Sequence, residues 1–297
     1  MNELFDRLHA MGPTGDVRAV EALYVDALAR QPREGVHCDR DRVYGPHERH
    51  RVDLYARADH SGGPRPMLAV LHGGGFVRGD KSQRENFGHC FAREGFITAV
   101  ANYRLAPETR WPGGADDVVR LTLWLQEYAA QIGGDPSRLF LLGESAGAAH
   151  VAGAVLVRER QPAQGLPVAG AVLISGPYNA RLEGLARAQF GVPTPDPRNE
   201  AYFGPDREAW GAMSTVDHLT AVPPPLLITF AEMDLLQMQV QASELFAALV
   251  TRHGRQPQLK VIRHHNHFSQ VMAVNIGDRS LVDPVLSFLR SAANGAD

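Results

Sequence analysis

Apolar runs of five to seven residues alternate with glycine-containing turns and helical stretches along most of this chain of 297 residues. The apolar runs predict strands at 67–71, 96–101, 138–142, 168–174, 225–230 and 258–263. The stretches between them predict helices near 83–93, 114–132, 145–159, 236–252 and 280–292. Strands that alternate with helices form a mostly parallel sheet with helices on both faces, so the pattern predicts an α/β fold.

The part of the chain ahead of the first core strand has a different pattern. Within residues 1 to about 35, apolar side chains recur at spacings of three and four, which predicts helices; they are Val17, Val20, Tyr24 and Leu28. Residues 42–56 alternate in part around a polar turn and therefore predict a hairpin.

Residues 176–218 interrupt the alternation, because no strand is evident there although aromatic side chains are dense. These side chains are Tyr178, Phe190, Tyr202, Phe203 and Trp210. Long segments without strands are usually lids or binding elements. We therefore expect helices at 1–40 that form part of a cap, an α/β core at 41–175 and 219–297, and a cap insertion at 176–218. The alternative is that residues 176–218 form helices at the periphery of the fold. Phe190 and Trp210 either line the pocket or anchor the cap.

A serine between two glycines follows the apolar run 139–142. The motif is Gly143-Glu144-Ser145-Ala146-Gly147, and a small, apolar helical stretch comes after it. This is the pattern of a nucleophile elbow, a crowded strand-to-helix turn that needs glycine two residues either side of the serine. The motif therefore predicts that Ser145 is a nucleophile.

A glycine-rich turn follows the strand predicted at 67–71 and reads His72-Gly73-Gly74-Gly75-Phe76. Lipases and esterases place backbone N–H groups of the oxyanion hole in such a turn. Taken alone, the three glycines have a second interpretation, which is a flexible turn with no part in an oxyanion hole. Both motifs follow an apolar run, and they come in this order, which favours a hydrolase.

A serine nucleophile needs a histidine base and a carboxylate that orients the histidine. In the α/β-hydrolase chain order the acid follows the nucleophile on a late strand, and the histidine comes last. Asp234 follows the strand predicted at 225–230 and is our expected acid, with Glu232 as its alternative.

Three histidines lie within four residues after the last predicted strand. We expect His267 to be the base and His265 to be its alternative, with His264 on the surface at the strand end. A zinc site is a further alternative for such a cluster, but no ligand set lies nearby in the sequence, so we expect no metal.

With an ordinary histidine pKa of about 6.5, activity is expected to fall below about pH 6. His72 and His150 are expected to be structural.

The composition is that of an ordinary globular protein, with a net charge of −3, 44% hydrophobic residues and 21% charged residues. No Lys/Arg run indicates nucleic-acid binding, and no apolar run approaches the ~18 residues of a membrane span. The first residues are acidic where a signal peptide is basic and then apolar. Cys38 and Cys90 are expected to be free thiols in a reducing compartment. We expect a cytoplasmic protein with no nucleic-acid or membrane partner.

The chain from about residue 42 onward resembles the bacterial hormone-sensitive-lipase-like esterases of the α/β-hydrolase superfamily. The motifs that carry the resemblance are 72–76, 103–108, Trp111-Pro112 with Asp116-Asp117, the elbow, 234–236 and 266–268. The resemblance implies an oxyanion hole formed by the N–H groups of Gly74, Gly75 and Ala146. It also implies a mobile helical cap and hydrolysis of short-to-medium acyl esters without a cofactor.

Two features depart from that family. The elbow carries Glu144 where the family usually has Asp, and the segments 43–55 and 79–81 look closer to feruloyl-esterase-like and formamidase-like branches.

We expect a serine carboxylesterase that acts on small-molecule esters through an acyl-enzyme. The alternatives are an amide or formamide hydrolase, a feruloyl-type esterase with the same triad, and, in a different class, a catalytically inactive binding protein. The sequence leaves open a homodimer formed through a shared edge strand.

Overall fold

The computed structural model describes residues 2–59, 62–185 and 196–293. Within them an eight-stranded sheet has the order β1-β2-β4-β3-β5-β6-β7-β8. The strands are β1 (Val36–Val43), β2 (Arg51–Arg57), β3 (Arg65–Leu71), β4 (Ile97–Ala101), β5 (Gly134–Glu144), β6 (Gly170–Ile174), β7 (Leu226–Met233) and β8 (Gln258–Asn266). β1 and β2 form an antiparallel hairpin, β2 pairs antiparallel with β4, and the other neighbours are parallel. The predicted α/β fold with a mostly parallel sheet is confirmed.

Helices connect and cover the strands. They are α1 (Asn2–Met11), α2 (Val17–Ala29), α3 (Glu85–Arg93), α4 (Gly113–Tyr128), α5 (Ala146–Leu156), α6 (Ala180–Leu185), α7 (Pro197–Phe203), α8 (Leu236–His253), α9 (Ser269–Met272) and α10 (Val282–Ala293). The helix predicted at 145–159 ends earlier, because Val157 adopts an extended backbone. None of the helices in the described ranges has both the length and the apolar character needed to cross a membrane.

The sheet is buried on both faces, because alternate side chains of each core strand enter different clusters. In β3, Met67, Ala69 and Leu71 pack with α4, α5 and α8, whereas Leu68 and Val70 pack with α3 and α10. This burial explains why the core strands are continuous apolar runs in the sequence.

After β6, most of the described aromatic side chains of residues 176–218 are buried around Phe76 of the glycine-rich loop. Phe76 stacks on Tyr202 at 4.1 Å and meets Phe203 edge-on at 5.6 Å. Trp210 packs against Phe203 at 5.4 Å, and its Nε1 donates to the carbonyl oxygen of Gly204. Trp210 thus packs within this segment, which Tyr202 and Phe203 join to Phe76; Phe190 lies outside the described residues.

The N-terminal helices lie against the loop that follows β8. Leu8 of α1 and Val20 and Tyr24 of α2 are fully buried in a cluster with Met272 and Ala273. This packing brings α2 alongside the carboxyl ends of the parallel strands.

Candidate active site

The chain turns sharply between β5 and α5, with Ser145 at the tip of the turn. Ser145 has a φ of 50°, in the left-handed region that residues with a side chain seldom adopt. A methyl group at Gly143 would lie 2.3 Å from the carbonyl oxygen of Gly147, and one at Gly147 would lie 2.4 Å from that of Leu71. Neither position has room for a side chain, so both glycines are needed for this turn.

His267 lies between Ser145 and Asp234. Its Nε2 is 3.1 Å from Oγ of Ser145, and its Nδ1 is 2.7 Å from Oδ1 of Asp234. Each of these residues directly follows a parallel strand, β5, β7 or β8, so they meet at the carboxyl edge of the sheet. The structure therefore brings together the three side chains selected from the sequence.

Asp234 is fully buried, and its carboxylate is surrounded by donors. Oδ1 faces His267 and also accepts the N–H of Leu235 at 2.9 Å. Oδ2 accepts the hydroxyl of Ser175 at 2.5 Å and the N–H of Ala231 at 3.0 Å. These bonds replace water around the buried charge and aim one oxygen at the imidazole.

Ser175 and its neighbour Gln270 are polar groups of the site that the sequence analysis missed. The Nε2 of Gln270 donates to Oγ of Ser175 at 2.7 Å and to the carbonyl oxygen of His267 at 3.2 Å. The Ser175 hydroxyl therefore accepts from Gln270 and donates to Asp234. One signal was present in the sequence, because Ser175 directly follows a predicted strand at this edge of the sheet.

The surroundings of His267 raise the pKa of its imidazole. Burial alone would lower that pKa, but the charge of Asp234 and its hydrogen bond outweigh the burial, with smaller contributions from Glu144 and Glu183. The imidazolium that forms when His267 accepts a proton is therefore stabilised where it is made.

Gly74, Gly75 and Ala146, whose N–H groups the family resemblance implied as oxyanion donors, line the same cavity as Ser145. Gly74 and Gly75 have φ of 135° and 61°, and a methyl group at Gly74 would lie 1.9 Å from the carbonyl oxygen of Arg78. Within the described part of the chain, no hydrogen bond takes up the N–H of Gly74, Gly75 or Ala146. The three N–H groups are therefore free for the oxyanion role that the family resemblance implied, and that role stays a prediction.

Glu144, the unusual residue of the elbow, binds the glycine-rich loop. Its Oε1 accepts the N–H of Gly73 at 2.7 Å and the Nε of Arg84 at 2.6 Å. Glu144 is buried, so this pair fixes the loop directly against the strand that carries Ser145. The longer carboxylate thus connects the elbow to the loop that carries Gly74 and Gly75.

The alternative acid and base residues lie elsewhere. Glu232 is exposed, and its Oε2 accepts the N–H of His264 at 2.8 Å. His265 is buried between Ser269, 3.0 Å from its Nδ1, and Asp278, 3.0 Å from its Nε2. Both residues are thus engaged with partners outside the Ser145 site.

The two remaining histidines near the motifs are buried and uncharged. Burial lowers the pKa of His72 to about 4 and that of His150 to about 3. His72 stacks on Tyr103 at 4.5 Å, and His150 meets the same ring edge-on at 4.6 Å. Such pKa values keep both imidazoles neutral at neutral pH.

A cavity of about 1060 Å³ includes Ser145 and His267 in its lining. Apolar side chains form much of its wall; they are Val17, Val25 and Leu28 of α2, Leu236 and Met238 of α8, and Phe268 and Met272. Arg198 of α7 covers the glycine-rich loop, since a methyl group at Gly75 would lie 3.0 Å from its Nη1. Asp196 holds that guanidinium through a 2.6 Å bond to Nη2. Elements from the N-terminal part and from the later half of the chain thus line the cavity that contains the serine.

The sequence model of a protein family described as an alpha/beta hydrolase fold matches residues 68–270. This match spans the glycine-rich loop, the elbow, Asp234 and His267. It therefore covers all the motifs from which the chemistry was predicted.

Two curated proteins and one solved structure that are similar to this chain carry esterase names. A protein of Oryza sativa subsp. japonica named "Probable isoprenylcysteine alpha-carbonyl methylesterase ICME" is 25% identical over 84% of this chain and 63% of its own length. Esterase LipQ of Mycobacterium tuberculosis is 27% identical over 84% of this chain and 61% of its own. The chain thus spans less than two thirds of these relatives. A bacterial heroin esterase structure superposes with a TM-score of 0.74 at 25% identity, over 99% of this chain and 98% of that one.

Proposed function

This chain belongs to the α/β-hydrolase family, and from that premise we propose that it is a serine hydrolase of carboxylic esters. The observation that carries the proposal is the continuous contact from Ser145 through His267 to Asp234. The esterase names of its relatives agree with this reaction.

In the proposed mechanism Ser145 Oγ attacks the ester carbonyl while His267 Nε2 removes its proton. Asp234 holds the imidazole by its Nδ1 hydrogen and stabilises the imidazolium. The tetrahedral oxyanion accepts the N–H groups of Gly74, Gly75 and Ala146. His267 then protonates the leaving alcohol, which leaves an acyl group on Ser145.

The second half of the reaction repeats these steps with water. His267 takes a proton from the water as it attacks the acyl-enzyme, and the same backbone donors stabilise the second oxyanion. Ser145 leaves with the proton from His267, and the carboxylic acid is released. Every group in the proposed cycle is a side chain or backbone N–H of this chain, so the cycle needs no cofactor.

The lining of the cavity supports short-to-medium acyl esters or small aryl esters as substrates. Apolar side chains of α2 and α8 line the cavity together with Ser145 and offer contacts to an acyl or aryl group. We propose that residues 1–40 and 176–218 act as the cap over the 41–175 and 219–297 core. The contact of Arg198 with the glycine-rich loop supports that division.

Initial rates on p-nitrophenyl esters from acetate to palmitate test the proposal. The wild-type chain is compared with Ser145→Ala and with Ser243→Ala, a control that removes an exposed helical hydroxyl. We expect a rate maximum at short or medium chain length that Ser145→Ala abolishes and Ser243→Ala preserves. Turnover that survives in Ser145→Ala would refute the serine mechanism.

An aryl formamide, measured beside the esters, addresses the amide or formamide alternative. If the formamide is hydrolysed faster than the esters and the reaction depends on Ser145, the formamide replaces the ester as the proposed substrate and the mechanism stays the same. The expected cytoplasmic location, the homodimer and the lack of a nucleic-acid partner stay predictions.

A further inference from the structure

Three side chains with metal-binding atoms meet on the surface beside the end of the sheet. His9 comes from α1, Glu232 from the end of β7 and His264 from β8. One potential ligand atom of each lies within 4.8 Å of the other two. Because the three residues come from distant segments of the chain, the sequence around His264 alone does not indicate this cluster.

The spacing of the two imidazoles suits a tetrahedral ion. The Nε2 of His9 and the Nδ1 of His264 lie 3.3 Å apart. Two nitrogens that each lie about 2.05 Å from a tetrahedral zinc are about 3.3 Å apart, so the separation of these atoms equals that of two nitrogen ligands of one ion.

The backbone and a neighbouring ring hold His264 in this orientation. His264 has a φ of 66°, and the pairing of β7 with β8 shifts register between Ala231 and Met233. The resulting bulge places the N–H of His264 on Oε2 of Glu232 at 2.8 Å. Phe5 stacks on the imidazole of His264 with ring centroids 4.9 Å apart. Two of the three ligands are therefore oriented by other contacts.

Glu232 is exposed and lies beside both imidazoles, so an ion can reach its carboxylate from solvent.

We propose that His9, Glu232 and His264 bind one divalent transition-metal ion, with Zn²⁺ as the best fit and water as the fourth ligand. Two imidazoles and one carboxylate are typical ligands of zinc, whereas Ca²⁺ and Mg²⁺ prefer oxygen ligands alone. The inference does not depend on the proposed esterase activity, because none of the three residues contacts Ser145 or His267 within the described residues.

A bound ion would fasten α1 to the edge of the sheet. Leu8, next to His9, is fully buried in the cluster that also holds Val20 and Tyr24 of α2. Since α2 lines the catalytic cavity, the ion would stabilise one wall of that cavity from outside. Its proposed role is structural, and it supplies no group to the reaction.

Calorimetric titration of the chelator-treated, dialysed full chain with ZnCl₂ tests the site. Wild type is compared with His9→Ala, His264→Ala and Glu232→Gln, and with His37→Ala, which removes an exposed histidine on β1. We expect one zinc per chain in wild type and in His37→Ala, and affinity weakened by at least about tenfold in the other three variants.

Thermal unfolding provides a second measurement that does not need activity. Zinc should raise the Tm of wild type and of His37→Ala but not that of His9→Ala, and Mg²⁺ should raise none of them. Circular dichroism without zinc checks that each variant is folded. Equal zinc affinity in wild type and His9→Ala, or no zinc binding at all, would overturn the inference.

Discussion

Ser175 donates its hydroxyl hydrogen to Oδ2 of Asp234 across 2.5 Å, on the side of the carboxylate opposite His267. Gln270 fixes that direction, because its Nε2 already occupies an acceptor position of the Ser175 oxygen at 2.7 Å. The orientation of the proposed acid is therefore set by a side chain that touches neither Ser145 nor substrate.

Ser175→Ala should lower kcat by about tenfold to a hundredfold, since a hydrogen bond to a charged group contributes about 1.5–3 kcal/mol. The freed carboxylate should hold the His267 proton more strongly, so the acidic limb of kcat/KM should move to higher pH. Steady-state rates across pH, with Ser243→Ala as control, measure both effects. If kcat falls while the acidic limb of the kcat/KM profile stays at the same pH, Ser175 has only a structural role.

Glu144→Ala should impair the oxyanion site while leaving Ser145 and His267 in contact. The N–H of Gly73 and the guanidinium of Arg84 both lose their shared acceptor, so the loop that carries Gly74 and Gly75 is released. Losing one oxyanion donor costs about 10²–10³ in kcat, which sets the expected size of the effect. Glu144→Gln should fall between wild type and Glu144→Ala, because it keeps an acceptor for Gly73. Full activity in Glu144→Ala would contradict this role.

The pH dependence of kcat/KM should reflect the raised pKa of His267. The base must be neutral to remove the proton of Ser145, so activity is lost as pH falls through that pKa. Because the pKa lies above its ordinary value, the half-maximal point should lie above about pH 6.5. This is higher than the ordinary histidine value used in the sequence analysis. A profile that stays flat down to about pH 5 would exclude His267 as the base.

His150 should make the fold less stable in acid. Burial lowers its pKa to about 3 in the folded state, whereas the unfolded chain binds a proton near pH 6.5. Stability is therefore complete above about pH 6.5 and falls with decreasing pH, by about 2 kcal/mol at pH 5 from this group. Urea unfolding near pH 7.5 and pH 5 measures the loss. The free energy of unfolding should fall by about 2 kcal/mol less in His150→Asn than in wild type between these two pH values. An equal fall in wild type and in His150→Asn would contradict the assignment.

The convergence of Ser145, Asp234 and His267 was predictable because each residue follows a predicted strand, and the strands before Ser145 and Asp234 stand out as apolar runs. Parallel strands place their carboxyl ends together, so a one-dimensional pattern is enough to bring these side chains to one edge. The elbow was equally visible as a motif, although only Gly143 is required by a contact within a few residues, whereas Gly147 is required by the approach of Leu71 from another strand.

Contacts between side chains that are remote in sequence were not predictable. Ser175 and Asp234 are 59 residues apart, and Glu144 is 71 residues from Gly73. No local period links such pairs, and their geometry depends on the register between neighbouring strands. The same holds for His9 and His264, which are 255 residues apart and meet only because α1 packs beside β8.

The central claim is that Ser145 carries the acyl group, and mass spectrometry of the trapped enzyme tests it most directly. The chain is reacted with a p-nitrophenyl phosphonate ester, which leaves a stable phosphonyl group on an activated serine, and its peptides are mapped. We predict one adduct per chain on the peptide that contains Ser145, and none in Ser145→Ala or Asp234→Asn under the same conditions. An adduct on another residue, or ester hydrolysis that continues in chains with Ser145 fully modified, would contradict the account.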